Sequence, residues 1–167
     1  VEQLAEQFRE DGVLLPVNYN CPGQTVVAGD AGRIEAMMAY CKGNKIKCMK
    51  LPVNGAFHSP HMQQAAQNIY KKIEGMDFAA PQFTLYANRT GKPYSPAGMK
   101  TVMAEQTANP VLFEQSIRAM LEAGADTFVE VGPGKTLAGF VSRISKEAAT
   151  YNINDFESYE KTVDALK

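Results

Sequence analysis

The chain has 167 residues, 45% of them apolar and 21% charged, with a formal net charge of -1, the profile of an ordinary globular protein of about one to one and a half domains. The near-neutral charge gives no basic excess to attract nucleic acid. No apolar run approaches the roughly 20 residues that cross a bilayer, so neither nucleic acid nor membrane is expected as a partner.

The chain begins without Met, inside a helical pattern that places Leu4 and Phe8 on one face up to Gly12. That start leads us to expect a piece of a longer polypeptide. Val13 to Asn18 reads as a strand, with Pro16 arguing for an edge or a bulge. Cys21-Pro22-Gly23 is a turn, and Gln24 to Ala28 a second short strand. Asp30 then opens a helix carrying Ile34, Met37, Met38 and Cys41 at helical spacing, stopped by Gly43. Lys45 to Val53 alternates, with Ile46, Cys48 and Leu51 against Lys45, Lys47 and Lys50, and reads as a third strand.

The character changes near Ser59. Ser59-Pro60 is a helix start, a Ser at the N-cap and a Pro where its missing N–H costs nothing. Met62, Ala65, Ala66, Ile69, Ile73 and Met76 form an apolar stripe, so a helix is expected from Pro60 to Gly75. Phe83 to Asn88 reads as a strand ended by the turn Arg89-Thr90-Gly91-Lys92. Ser95-Pro96 repeats the helix start and leads toward Gln106, and Asn109-Pro110 is a third start, for a helix with Phe113, Ile117, Met120 and Leu121. Thr127 to Val131 is nearly all apolar, as a parallel strand covered on both faces would be. Gly132-Pro133-Gly134 turns into a helix with Leu137, Phe140, Val141 and Ile144; Tyr151 to Ile153 reads as a last strand; Asp155 caps a C-terminal helix. Helices alternating with short apolar strands give an α/β sheet, preceded by a small α+β unit.

Both histidines fall in one stretch, Gly55-Ala56-Phe57-His58-Ser59-Pro60-His61-Met62. His58 lies between an apolar run and a helix start, where a scaffold commonly presents catalytic groups, and imidazole suits proton transfer near neutral pH. The competing reading is a histidine that caps or packs, and for His61, in the first helical turn, one that faces solvent. Metal binding is not expected: the histidines are three apart with no carboxylate between them, and Cys21, Cys41 and Cys48 lack zinc spacing. Three cysteines without a Cys-x-x-Cys pair and no secretory signal point to free thiols in a reducing, cytoplasmic setting. Gly132-Pro133-Gly134-Lys135-Thr136 is not a P-loop, because the position five before Gly134 is Val129. No Gly-x-Ser-x-Gly elbow is present. From the residues alone, the chain offers the base of an acyl-transfer site without its nucleophile.

Several motifs in series carry a resemblance. Asn20-Cys21-Pro22-Gly23-Gln24-Thr25-Val26-Val27-Ala28-Gly29, then Leu51-Pro52-Val53 before Ala56-Phe57-His58-Ser59, then Tyr86-Ala87-Asn88, Gln106 with Asn109-Pro110-Val111, and Glu130-Val131-Gly132-Pro133-Gly134-Lys135 together resemble the C-terminal half of malonyl-CoA:acyl carrier protein transacylases. The resemblance implies part of an α/β-hydrolase-like parallel sheet with part of an inserted ferredoxin-like α+β subdomain, residues 1-55 belonging to the small subdomain and 56-167 to the large one. It implies that His58 is the catalytic base and that the backbone carbonyl of Gln106 accepts its Nδ1–H, as a carboxylate does in a Ser-His-Asp triad. It places Phe57, Asn20, Gln24 and Val53 near the substrate. Phe57 in Ala-Phe-His goes with malonyl rather than methylmalonyl selection in related acyltransferases, a pocket fit worth about 1–3 kcal/mol per methyl group.

The implied reaction moves malonyl from malonyl-CoA, through a seryl ester, to the phosphopantetheine thiol of acyl carrier protein, with no metal or redox cofactor. The family's elbow serine, its carboxylate-holding Arg and its oxyanion-hole Gln belong to the upstream half, so the partners implied are acyl carrier protein, a coenzyme A thioester and the N-terminal part of the same enzyme. The alternatives are a non-catalytic fragment or module that needs a complementary chain, and a hydrolase of the same fold.

Overall fold

A computed structural model describes residues 1–167. The chain is a mixed α/β structure in which three two-stranded sheets are set among seven α-helices. Helix α1 (Glu2–Arg9) leads into β1 (Leu14–Cys21), which pairs antiparallel with β2 (Gln24–Gly29) before α2 (Ala31–Gly43). The register slips between Pro16 and Asn18, the irregularity that a proline in a strand favours. The far side of β1 meets the segment before the fifth helix: Val111 N–H donates to the Val17 carbonyl at 2.8 Å and Tyr19 N–H to the Val111 carbonyl at 2.9 Å. Gly29 closes the hairpin base. A Cβ there would stand 2.0 Å from the Val13 carbonyl oxygen, so no other residue fits that close approach.

The best-packed core lies in this first unit. Ala5, Leu14, Met37 and Cys41 are buried together, with Leu4, Phe8, Val27 and Ile34 packed against them. Tyr19 donates its hydroxyl to Glu2 Oε1 at 2.7 Å; burial, then the Glu2 carboxylate, pushes the phenol up to about 12.

Residues 44–59 form neither helix nor strand. The strand expected at Lys45 to Val53 is absent, and Met49, Leu51 and Val53 are exposed. Alternation records which face would be covered; it does not supply a neighbouring edge to take the backbone hydrogen bonds. The helix expected from Pro60 begins as a 3-10 turn, Pro60–Met62, and continues as α3 (Gln63–Ile73). The strand expected at Phe83 to Asn88 shrinks to β3 (Tyr86–Ala87), which pairs with β4 (Lys92–Pro93), leaving Phe83 exposed.

Helix α4 (Met99–Glu105) starts after Gly98 rather than at Ser95-Pro96, and α5 (Phe113–Glu122) starts after Leu112 rather than at Asn109-Pro110. Asn109 is otherwise engaged: its amide donates to the Glu105 carbonyl at 2.8 Å, closing the end of α4, while Val111 is held by β1. The parallel pair expected near the C-terminus is present, β5 (Thr127–Val131) beside β6 (Ala149–Ile153), connected through α6 (Thr136–Ile144). Helix α7 (Phe156–Ala165) starts at Asp155 in a reciprocal capping box with Ser158, as Asp155 led one to expect.

The expected cover on both faces of β5 is not provided by this chain: Val131 is 77% exposed and β5 pairs with β6 alone. The total accessible surface is 11047 Å², against about 8,100 Å² for a folded monomer of this mass. Only 17 of 167 residues are buried, so much of the apolar surface that the sequence patterned for burial meets solvent.

Candidate active site

His58 sits where the irregular 44–57 segment turns into the helical start at Pro60. Its φ is 61°, a left-handed conformation that a non-glycine residue keeps only when its surroundings fix it. Two peptide carbonyls at the end of α4 do so. His58 N–H donates to the Thr107 carbonyl at 3.0 Å, and His58 Nδ1 is 2.8 Å from the Gln106 carbonyl oxygen. A carbonyl only accepts, so Nδ1 carries the proton and Nε2 of the neutral ring is left with its lone pair free. The ring is half-buried.

The next residue anchors this arrangement. Ser59 is fully buried; its hydroxyl donates to the Ala56 carbonyl at 2.6 Å and accepts the His61 N–H at 3.3 Å. Ser59 is therefore a helix cap and offers no nucleophile. His61 does not simply face solvent: its Nε2 is 2.8 Å from Asp30 Oδ1, and Asp30 Oδ2 accepts the Val13 N–H at 2.8 Å. The Asp30 carboxyl is held below the usual carboxylate range, first by that peptide N–H and then by His61 and Arg33. This clasp joins the hairpin unit to the helix that follows His58.

The structure brings His58 and Gln106 together; no hydrogen bond links Asn20 or Gln24 to either. Asn20 lies on β1, half-buried. Gln24 Oε1 accepts from Arg143 Nη1 at 2.9 Å, while Arg143 Nη2 donates to the Pro22 carbonyl at 2.8 Å. Phe57 is half exposed, its ring folded over Gly55, where a Cβ would come within 2.9 Å of it. Val53 is exposed in the irregular segment. Burial pushes the Cys21 and Cys41 thiols up, which keeps them protonated and unreactive. All three cysteines are free, and no group of three or more His, Cys, Asp or Glu is placed to hold a metal ion.

The glycine-rich turn after β5 is a strand-to-helix connection. Gly132 and Gly134 have positive φ, and Glu130 Oε2 accepts the Ala138 N–H at 2.8 Å. A carboxylate from the strand thus occupies the end of α6 that an anion would seek. Sequence reasoning missed Glu130 in this role, along with the Arg143 clamp, the His61–Asp30 pair and the side chain of Gln106, whose Oε1 accepts the Asn88 N–H at 3.1 Å. The Asn88, Asp30 and Arg143 links span 18, 31 and 119 positions, beyond any local pattern. Only Glu130 carried a signal, a carboxylate a few residues before a helix start.

Comparison with known proteins places the chain. The acyl transferase domain family matches residues 2–160. A malonyl CoA-acyl carrier protein transacylase of Bacillus subtilis is 32% identical over 170 residues, a stretch that takes in 100% of this chain and 54% of that protein. Among solved structures, the malonyl CoA-acyl carrier protein transacylase of Clostridium perfringens superposes with a TM-score of 0.93 at 33% identity, over 98% of this chain and 52% of that one. The corresponding enzyme of Streptococcus pneumoniae gives 0.92 at 30%, over 99% and 54%. The chain spans about half the length of the curated relatives it matches. On the extent of the family match, the chain belongs to the acyl transferase domain family.

Proposed function

We propose that this chain supplies the base half of a malonyl-CoA:acyl carrier protein transacylase. The observation that carries the reading is the 2.8 Å contact from His58 Nδ1 to the Gln106 carbonyl, which leaves Nε2 free to take a proton. The names of the relatives support malonyl as the acyl group, and a malonyl-transacylase solved in complex with a type II PKS acyl-carrier protein, 28% identical with a TM-score of 0.92, supports carrier protein as the acceptor.

In this mechanism a serine outside these 167 residues lies against Nε2. His58 removes its proton as it attacks the thioester of malonyl-CoA; the serine–acyl bond forms, the carbon–sulfur bond breaks, and His58 returns the proton to the departing thiolate. His58 then deprotonates the phosphopantetheine thiol, which attacks the seryl ester; the new thioester bond forms, the bond from the acyl carbon to the serine oxygen breaks, and His58 returns the proton to that oxygen. The Gln106 carbonyl orients the ring without adding a full negative charge. Neither a metal nor a redox cofactor is needed for these steps, and free thiols suit a reducing, cytoplasmic setting.

Residues 1-55 belong, in this reading, to a small ferredoxin-like subdomain and 56-167 to the C-terminal part of an α/β-hydrolase-like one. The complementary N-terminal part would bring the serine and cover the open flank of β5. Asn20, Gln24 and Val53 would then line the approach to the site, and Phe57 would restrict the space beside the acyl α-carbon.

The test is acylation by malonyl-CoA of an intact enzyme containing this chain, followed by intact mass. The parent enzyme should gain a malonyl group, and His58→Ala should acylate about 10²–10⁴-fold more slowly. Acylation of His58→Ala at the parent rate would remove the histidine from the mechanism. Release of free malonate at the same rate with and without carrier protein would favour a hydrolase.

A further inference from the structure

The carbonyl that orients His58 is itself held from the other side. Gln106 is the residue at which α4 ends. The last carbonyls of a helix have no partner within it, and the final turn frays unless something outside fixes it. Here the hairpin β3–β4 provides the fixing. Gln106 Oε1 accepts the Asn88 N–H at 3.1 Å. Beside it, Arg89 Nη2 pairs with Glu105 Oε2 at 2.8 Å, and Leu112 N–H donates to the Asn88 carbonyl at 2.7 Å.

We propose that the side chain of Gln106, anchored on Asn88, is a positioning group that aims its own peptide carbonyl at His58 Nδ1 and so selects the tautomer in which Nε2 is the base. The proposal deepens the acyl-transfer reading and rests on it only for its catalytic consequence. A neutral imidazole with no acceptor beside Nδ1 has nothing to keep the proton there, and the ring then presents Nε2–H, which cannot accept one. His58 cannot compensate by moving, because its backbone is already in the left-handed region and is held by the Thr107 carbonyl. Alignment depends on the direction of one peptide plane at the end of a seven-residue helix, and the Gln106 side chain is the part of that residue tied to the neighbouring hairpin. Its carbonyl and its amide therefore have separable roles: substitution at 106 keeps the first and removes the second.

The chain has only two histidines, so the ¹⁵N spectrum of its imidazoles separates them once His61→Gln has assigned one. The parent should show neutral His58 with the proton on Nδ1. Gln106→Ala, checked for folding by circular dichroism, should move His58 toward the Nε2–H form. Gln106→Glu, which keeps an oxygen for the Asn88 N–H, should restore Nδ1–H. Gln106→Met, which keeps the length of the side chain and removes the oxygen, should shift the tautomer as Gln106→Ala does. In the intact enzyme Gln106→Ala should lower the acylation rate roughly 10- to 100-fold at unchanged KM for malonyl-CoA, with partial recovery in Gln106→Glu. A folded Gln106→Ala that keeps His58 fully Nδ1–H would overturn the proposal. Should Gln106→Ala not fold, Gln106→Met decides, and an unchanged tautomer there overturns it equally. The tautomer is read without acyl donor, so an intact enzyme that transfers no malonyl sinks the functional reading and leaves this one standing.

Discussion

The hairpin unit formed by α1, β1, β2 and α2 and the parallel pair β5–β6 have similar sequence credentials and different surroundings. In the first, Leu14 is fully buried among Ala5, Met37 and Cys41. In the second, Val129 is 37% and Val131 77% exposed on a strand whose sequence is nearly all apolar. Both carry the pattern of buried strands, and only one finds its cover within these residues. Apolar patterning states a demand for burial, and whether the demand is met depends on chain that a local window does not contain.

The largest effect that would sharpen this contrast is in the core. Leu14→Ala should lower stability by about 2–5 kcal/mol, whereas Val131→Thr should stay within about 0.5 kcal/mol of the parent, as exposed substitutions do. Urea unfolding followed by circular dichroism measures both. Equal costs would mean that β5 is covered in solution, by a second copy or another chain, and the contrast would fail.

Hydrogen exchange tests the same difference without substitution. Amides in β1 and β2 should exchange more slowly than those of β5, and adding the complementary N-terminal chain of the proposed enzyme should slow exchange in β5 while hardly changing β1 and β2. Uniform protection across both sheets in the isolated chain would break the comparison.

The smallest effect concerns the clasp between the hairpin unit and the helix after His58. The Asp30 carboxyl is held below its usual range, chiefly by the Val13 N–H and then by His61. A depressed carboxyl contributes stability that is present above its unfolded value, about 3.9, and lost as pH falls through its lower folded value. The urea midpoint of Asp30→Asn should therefore lie below that of the parent from neutral pH down to the unfolded value, and the two should converge on further acidification. A difference that persisted or grew at the acid end would assign the effect to lost packing instead of charge.

Much of the fold was legible locally. The bulge near Pro16, the helix from Ala31 and the capping box at Asp155 each follow from residues within a few positions of one another, whereas the pairing of β5 with β6 joins Thr127 to Ala149 across the whole of α6. Helix starts were less reliable wherever a capping residue had a second use. Asn109 closes α4 instead of opening α5, and Ser95-Pro96 was overridden by the turn at Gly98. The expected strand at Lys45 to Val53 failed for a third reason: alternation without a partner edge leaves the backbone hydrogen bonds to water.

By itself the sequence determined the chemical inventory. One histidine stands before a helix start, there is no elbow serine, no metal-ligand spacing occurs, and the motifs run in a family order; all of these are properties of residue types and their spacing. The motifs also implied the Gln106 carbonyl as the acceptor for His58; tertiary structure alone decided that the Gln106 side chain is tied to Asn88, that His61 is paired with Asp30 rather than free, and that Gln24 is gripped by Arg143. The reason is range. Capping, turns and periodicity act over one or two turns of chain, whereas each of these contacts joins residues 18 to 119 positions apart and exists only because the packing of the elements between them brings their polar groups within hydrogen-bonding distance.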